Sequence, residues 1–330
     1  MKKERWAFLG TSLLLGCSSN YDPVDEVNAP QKEPFIINGS PVGSHERAPS
    51  VVVMTNKFGE ERCSGTLIHP RMVLTAAHCI PYQAENILIG YGFSNLEKKE
   101  GIFYEPESVI VHDDYLSFED YNHYDFGLVI LKNPVKGGIA APIFPEEKYG
   151  SELQENKEVT IVGYGWDDEN YGELNFAKVP ITKVVETEMV VGLNDPKAPN
   201  LCFGDSGGPT YVRSEAKDYV TGVTSRIPPE ILDGECGHGA VVGLPGSVLD
   251  WIIKNCEENI GKNCSSFTEG DAKNHLDGLV ESTPFSQEPF VMLDRTACSY
   301  SGGSRPGNDS AGYGLLLGWV GLISLRRKKK

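Results

Sequence analysis

Short apolar runs separated by turn residues most strongly constrain the fold of this chain. Between residues 36 and 257 these runs are rich in β-branched and aromatic residues, and glycine, proline and asparagine lie between them. They fall at residues 50–55, 87–92, 108–112, 127–131, 159–163 and 220–224. Runs of this length with this punctuation predict an all-β sandwich or barrel. One helix stands out near the end of the region, at residues 247–255, with Ser247 as its predicted N-cap.

Composition and charge exclude several classes of function. The chain has 330 residues, 40% of them hydrophobic, which is ample for a buried core. The 46 acidic residues exceed the 30 basic ones and give a net charge of −16, so a phosphate backbone repels the chain and no nucleic-acid partner is expected. The 8 cysteines indicate an oxidising compartment. Because no C-x-x-C pair occurs, the cysteines do not indicate a zinc ribbon or knuckle. No metal site and no cofactor are expected.

The N-terminal end has the form of a secretion signal. A basic start precedes an apolar stretch that is too short to span a membrane, so residues 1–16 are predicted to be a signal peptide. The stretch ends in Leu-Leu-Gly-Cys at residues 14–17, which resembles a bacterial lipobox. The resemblance implies lipidation of Cys17, with an ordinary cleaved signal peptide as the alternative. Residues 17–35 are polar and rich in proline and predict a lipid tether or propeptide.

The C-terminal end contains two further segments. Residues 258–310 are rich in serine, glycine, asparagine and acids, which predicts a polar stalk or a small appendage. Residues 311–330 combine an apolar run of about 18 Å, if helical, with five terminal basic residues; this is short of the roughly 30 Å of a hydrocarbon core. Together with Cys298 and a Gly-Gly pair, the tail is similar to removable sorting signals of Gram-negative surface proteins. A permanent short membrane span is the alternative.

The two ends together predict a location. The protein is expected to cross the inner membrane of a Gram-negative bacterium and to reach the outer membrane or the cell surface. It would be held there through the lipid and the tail, and release from the cell is left open.

Three local motifs fit one reaction. Thr-Ala-Ala-His-Cys at residues 75–79 contains His78, Asp125 begins an apolar run, and Gly-Asp-Ser-Gly-Gly-Pro at residues 204–209 contains Ser206. Singly, they have ordinary structural explanations as a core histidine, a strand cap and a glycine-rich turn. Together, in this order and spacing, they resemble the chymotrypsin/trypsin family of serine endopeptidases over about residues 36–256. The resemblance implies two packed antiparallel six-stranded Greek-key β-barrels with a C-terminal α-helix, in a domain of residues 36–257.

The chemistry needs these residue types together. A serine hydroxyl is a weak nucleophile until a base removes its proton. His78 is expected to be that base and then the acid for the departing amine, while Asp125 orients the imidazole and stabilises the imidazolium. The backbone N–H groups of Gly204 and Ser206 are expected to bind the oxyanion.

The family resemblance also implies a set of disulfides. Cys63 would pair with Cys79 beside the histidine, and Cys202 with Cys236 beside the substrate pocket. Cys256 and Cys264 then pair by proximity, with a Cys256 to Cys298 bridge as the rival. Two departures from the family pattern concern Val190, which stands where a cysteine is expected, and the segment around Tyr91, which lacks the acids of a calcium loop.

Activation follows from the same resemblance. Ile-Ile-Asn-Gly at residues 36–39 is similar to the family's mature N-terminus, whose ammonium would pair with Asp205. Cleavage would then fall after Phe35, by an activating protease or by the protein itself.

The family resemblance also implies a specificity pocket. In this family the residue six before the nucleophile lies at the base of the pocket, which is Asn200 here, and the alignment would place Ser225 and Ile227 in its wall. Because trypsin-like members have Asp at the base, Asn200 predicts an uncharged residue before the scissile bond. The sequence thus predicts a secreted zymogen endopeptidase acting on proteins or peptides. The alternative is a catalytically silent homologue that acts as a surface binding module or adhesin.

Overall fold

A computed structural model describes residues 36–81, 83–118, 121–165, 172–228 and 236–261, together with 264, 267, 268, 276, 277 and 279. In these residues the strands are, in chain order, β1 Ser40–Pro41, β2 Val51–Asn56, β3 Glu61–His69, β4 Met72–Thr75, β5 Ile87–Tyr91, β6 Ile102–Tyr104, β7 Pro106–Val111, β8 Leu116–Phe118, β9 Tyr121–His123, β10 Gly127–Leu131, β11 Glu158–Gly163, β12 Asn175–Val184, β13 Glu188–Asn194, β14 Pro209–Ser214, β15 Lys217–Arg226 and β16 His238–Gly243. The α-helices are α1 Tyr149–Glu152 and α2 Leu249–Asn259. The predicted all-β fold with a C-terminal helix is confirmed.

The first barrel is an antiparallel sheet that curls back on itself. Its strand order is β6-β5-β2-β3-β4-β10-β7. The two edge strands, β6 and β7, are consecutive in the chain with one residue between them, so a single bent strand forms both edges. Counted in this way, the barrel has the six strands that the sequence predicts.

The second barrel closes by strand pairing. Its order is β1-β12-β11-β14-β15-β16-β13, and β12 also pairs with β13, so that six strands form a ring. Strand β1 lies outside the ring and pairs with β12 through Ser40 and Phe176. The first strand of the described chain therefore attaches to the second barrel before the chain enters the first.

Because side chains alternate along the strands, one strand can contribute to two different apolar clusters. In β2, Val52 and Met54 face the interior of the first barrel, whereas Val51 and Val53 face a cluster shared between the barrels. The shared cluster includes Tyr211 of the second barrel. Fully burying one large apolar side chain stabilises a fold by about 1.5–3 kcal/mol. The apolar layer between the barrels therefore contributes to stability as a hydrophobic core of its own.

Helix α2 connects the two barrels through its packing. The Trp251 ring lies 4.8 Å from that of His112 on the segment after β7, measured between ring centroids. The predicted cap is wrong, because residues Pro245–Val248 form a 3₁₀ turn ahead of the helix. The Ser247 hydroxyl donates to the carbonyl of Leu244, 2.7 Å away, instead of capping α2. Among the described helices, none is long and apolar enough to cross a membrane.

Described residues beyond position 258 pack against the domain. Cys264 forms a disulfide with Cys256, and the carbonyl of buried Phe267 accepts a hydrogen bond from the backbone of Ile143, 2.7 Å away. Arg213 binds Asp277 at 3.0 Å. The predicted signal peptide, Cys17, the propeptide, Cys298 and the tail at 311–330 lie outside the described residues.

Candidate active site

Strand pairing brings His78 and Asp125 together. Gly127 of β10 lies opposite Thr75 of β4. His78 follows β4 in a 3₁₀ turn and Asp125 precedes β10, so both residues lie at the same end of the strand pair. The His78 ring nitrogen Nδ1 is 2.7 Å from Asp125 Oδ2, and the His78 backbone N–H donates to Oδ1 at 2.9 Å. A donor at Nδ1 leaves Nε2 as the basic nitrogen.

The Asp125 carboxylate is buried but well supplied with donors. Its side chain is 1% exposed, whereas that of His78 is 29% exposed. The Ser225 hydroxyl donates to Asp125 Oδ2 at 2.6 Å, in addition to the two bonds from His78. Buried carboxylates need such donors to offset their desolvation. Although Ser225 contributes to the cavity wall, as predicted from the sequence, its hydroxyl also serves to orient Asp125.

Ser206 lies on a turn that closely approaches the first barrel. Gly204 and Gly207 have φ values of 86° and 76°, which side chains disfavour. A Cβ on Gly207 would lie 2.0 Å from Thr75 Oγ1, so only glycine permits this approach. The turn thereby places Ser206 in the wall of the cavity that His78 also lines.

Two amides on this turn point to an anion site. Within the part of the chain that the structure describes, the backbone N–H groups of Gly204 and Ser206 bond to no other residue. They belong to the glycine-rich turn that the sequence predicts to bind an oxyanion. Unpaired amides of this kind, beside a nucleophile, can stabilise developing negative charge.

Asp205 is a second buried carboxylate, and its donors among the described residues are neutral backbone amides. It accepts hydrogen bonds at 3.0 Å from the backbone N–H groups of Cys202 and Gly165, and the N–H of Ile36 is a third donor. Burial raises the pKa of Asp205 to about 7 in spite of these bonds. In the unbroken chain, Ile36 already lies against Asp205, but as an amide rather than an ammonium.

A cavity of about 630 Å³ adjoins Ser206. Its apolar lining includes Leu201, Phe203, Ile227 and Ala240. Arg226 also lines the cavity, and its guanidinium binds both carboxylate oxygens of Glu188 at 2.7 and 2.8 Å. No carboxylate is found among its described lining residues.

Asn200 does not take the place that the sequence predicts for it. It is not among the residues that line the cavity. Its Nδ2 donates to the carbonyls of Leu193 and Ala198, 3.1 and 3.2 Å away, and its Oδ1 accepts from the N–H of Gly239 at 2.9 Å. The side-chain amide of Asn200 therefore makes its hydrogen bonds to the surrounding backbone. The neighbouring Leu201 lines the cavity.

Phe203 is a further residue that sequence reasoning missed. Its residue exposure is 63%, although the side chain is large and apolar, and it lines the cavity directly before Gly204. The feature of the sequence that could have indicated this role is an aromatic residue directly before the glycine-rich turn.

The disulfides border the site and settle one question of metal binding. The structure pairs Cys63 with Cys79 and Cys202 with Cys236. Cys63, His78 and Cys79 cluster closely enough to suggest a metal site. Because the two sulfurs are bonded to each other, neither is a thiolate, and the cluster lacks the ligands that a zinc ion needs.

Comparisons with known proteins agree with this geometry. A family model described as Trypsin matches residues 36–252. The chain is similar to Ovochymase of Halocynthia roretzi, with 26% identity over 77% of this chain and 17% of that protein. It is also similar to the Complement C1s subcomponent of Rattus norvegicus, with 28% identity over 69% of this chain and 37% of that protein. For the Vitamin K-dependent protein C of Mus musculus the identity is 25%, over 67% of this chain and 52% of that protein. The chain thus spans about half or less of the length of these relatives.

The buried acid predicts how stability depends on pH in the uncleaved protein. The pKa of Asp205 is about 7 when folded and 3.8 as a free side chain, so the folded state binds its proton more tightly. The contribution of Asp205 to the free energy of unfolding is fully present below pH 3.8 and is lost as pH rises through about 7. We expect the free energy of unfolding to fall by up to about 4 kcal/mol across this range from this group. Denaturant titrations at several pH values measure it.

Two variants isolate the contribution of this carboxyl. Asp205→Asn should remove this part of the pH dependence, whereas Asp250→Asn, at an exposed position, should leave it unchanged. Equal pH profiles for the wild type and Asp205→Asn would show that Asp205 does not titrate in this range.

Proposed function

Because the chain belongs to the trypsin family, we propose that it is a serine endopeptidase that hydrolyses peptide bonds in protein substrates. The observation that carries the proposal is the hydrogen-bonded pair of His78 and Asp125 on the same cavity as Ser206 and two unpaired amides. Protein substrates are expected because the site lies in a cavity open to solvent rather than inside a barrel.

In the proposed mechanism, His78 acts first as a base and then as an acid in each half of the reaction. His78 Nε2 takes the proton of the Ser206 hydroxyl as its oxygen attacks the substrate carbonyl. The oxyanion forms against the N–H groups of Gly204 and Ser206, and His78 then gives its proton to the departing amine. Water enters, loses a proton to His78 and attacks the acyl carbon. His78 then returns this proton to the Ser206 oxygen as the bond to the acyl group breaks, and the acyl group leaves as the acid. Asp125 stabilises the imidazolium in both halves without accepting a proton.

The protein is proposed to be a zymogen. Cleavage after Phe35, by another protease or by the protein itself, would convert the Ile36 amide into an ammonium beside Asp205. The paired positive charge would favour the ionised carboxylate and lower its pKa. Support comes from the burial of Asp205 and from the position of Ile36 against it. The ion pair would fix the turn that carries the two oxyanion donors.

A fluorophosphonate probe tests both the nucleophile and the activation. Protein beginning at Ile36 should be labelled at Ser206, and the chain with an intact Phe35 bond should react at least about tenfold more slowly because the oxyanion donors are less well ordered. Ser206→Ala should abolish labelling, whereas Ser151→Ala, at an exposed serine, should retain it.

The outcomes of this experiment separate the two claims. Equal labelling of the intact chain would contradict the zymogen proposal alone. If the protein that begins at Ile36 neither reacts nor cleaves any peptide, the chain is a silent homologue that acts by binding.

The substrate residue before the scissile bond is proposed to be uncharged. The cavity has an apolar lining at Leu201, Ile227 and Ala240, and the nearby carboxylate of Glu188 is already paired with Arg226. A lysine or arginine there would lose hydration without gaining a countercharge.

A peptide-library profile tests this specificity. The protein beginning at Ile36 should prefer apolar residues before the cleaved bond, and Ile227→Ala should raise the preference for Phe over Ala by about tenfold, because it enlarges the pocket. Ile102→Ala, at an exposed isoleucine, is the matched control and should leave the profile unchanged. A dominant preference for arginine or lysine would overturn the proposal.

The envelope location is proposed from the two ends of the sequence. Residues 1–16 would be removed, Cys17 lipidated and the tail at 311–330 either processed or retained as an anchor. Residues 18–35 contain no cysteine, so cleavage after Phe35 would separate the catalytic domain from the lipid. Mass spectrometry of the purified protein should show a diacylglyceryl group on an N-terminal Cys17; an intact Met1 would contradict this.

A further inference from the structure

Ser64 joins the two barrels directly behind the Ser206 turn. It lies on β3 of the first barrel and is fully buried. Its backbone N–H donates to the carbonyl of Ser206 at 2.8 Å, and its hydroxyl donates to the carbonyl of Gly204 at 3.0 Å. The same hydroxyl accepts a hydrogen bond from the backbone N–H of Tyr164 at 2.9 Å. The backbone and side chain of this one residue therefore contact the turn on both sides of Asp205, and the side chain also contacts a second loop of the other barrel.

The carbonyl of Ser64 extends this contact toward the histidine. It accepts a hydrogen bond at 2.9 Å from Thr75 Oγ1, at the end of β4. The 3₁₀ turn that carries His78 begins two residues later. The backbone and side chain of Ser64 thus connect the strand that delivers the base to the turn that delivers the nucleophile.

The contact to Gly204 falls on the most adjustable point of the turn. Gly204 has φ of 86° and no side chain to restrict its backbone. A hydrogen bond to its carbonyl limits the rotation of this residue, and the N–H of Gly204 is one of the two unpaired amides. The loop after β11 donates two successive backbone N–H groups to the two residues: that of Tyr164 to the Ser64 hydroxyl and that of Gly165 to Asp205 at 3.0 Å.

We propose that Ser64 is a positioning residue that holds the oxyanion-binding amides in register with His78. This inference rests on the proposed endopeptidase function. A hydroxyl suits the position because it donates to Gly204 and accepts from Tyr164 at the same time, which neither an alkyl group nor a hydrogen atom can do.

The chain offers a matched control for a purely structural role. Ser50 is also fully buried, and its hydroxyl lies 2.6 Å from the Tyr211 hydroxyl across the same interface between the barrels. Neither Ser50 nor Ser64 lines the cavity at Ser206. Removing the Ser50 hydroxyl deletes a comparable hydrogen bond between the barrels without loosening the Ser206 turn.

The experiment compares Ser64→Ala with Ser50→Ala in protein beginning at Ile36. Active sites are counted with a fluorophosphonate, and kcat and KM are measured on a cleavable peptide. The affinity for the corresponding peptide aldehyde, which forms an oxyanion on Ser206, is measured beside them. For Ser64→Ala we expect kcat per titrated site and aldehyde affinity to fall together by about 10- to 100-fold, somewhat less than the loss of an oxyanion donor itself. KM should stay within about twofold, and Ser50→Ala should change none of these quantities.

Ser64→Thr keeps the hydroxyl and should restore most of the lost kcat. Ser64→Gly, which also lacks the hydroxyl, replaces the alanine variant if that variant does not fold. The inference is overturned if variants without the hydroxyl keep wild-type kcat, if Ser50→Ala loses as much as Ser64→Ala, or if only the number of titratable sites falls. An unreactive wild type overturns the endopeptidase proposal and this inference together, whereas a reactive wild type with an equally active Ser64→Ala overturns this inference alone.

Discussion

Contact between the two barrels is the interaction on which the site depends. His78 and Asp125 belong to the first barrel and Ser206 to the second, so neither barrel holds the three residues alone. The contact is apolar where alternate residues of β2, Val51 and Val53, enter the shared cluster. It is polar nearer the cavity, where backbone groups meet across the interface. An apolar layer supplies most of the association free energy, while directional hydrogen bonds fix the relative position of the two barrels.

The parts of this arrangement that sequence reasoning reached are local. The motifs around His78 and Ser206 are contiguous strings whose residue types have a direct chemical meaning, and the barrel fold follows from many short strands with turn residues between them. The family match covers residues 36–252, which include both motifs. Strand pairing then explains why a motif near residue 78 and an acid at 125 are neighbours, because register converts sequence separation into spatial proximity.

The features of the site that the sequence did not predict depend on which hydrogen-bond partner a side chain selects. Asn200 has the expected position in the chain, but three carbonyl oxygens and one N–H lie close enough to satisfy its amide away from the cavity. Ser225 bonds to Asp125 because the bulge near the end of β15 directs it toward the first barrel. The Ser247 cap failed because a preceding 3₁₀ turn offers its hydroxyl a carbonyl. Each outcome reflects competition among several hydrogen-bond partners, some local, such as Leu244 for Ser247, and some distant in sequence, such as Asp125 for Ser225. The residue pattern does not encode which partner wins.

The two buried carboxylates of the site show how one physical rule yields different electrostatic states. Asp125 is bonded to a histidine and a hydroxyl, so a group that can itself become positive lies against it. Among the described residues, the donors to Asp205 are neutral amides, and burial therefore outweighs its hydrogen bonds and raises its pKa. One of those amides belongs to Ile36. The charge of Asp205 is consequently set by the covalent state of the chain at residue 36, because an amide there cannot supply what an ammonium would.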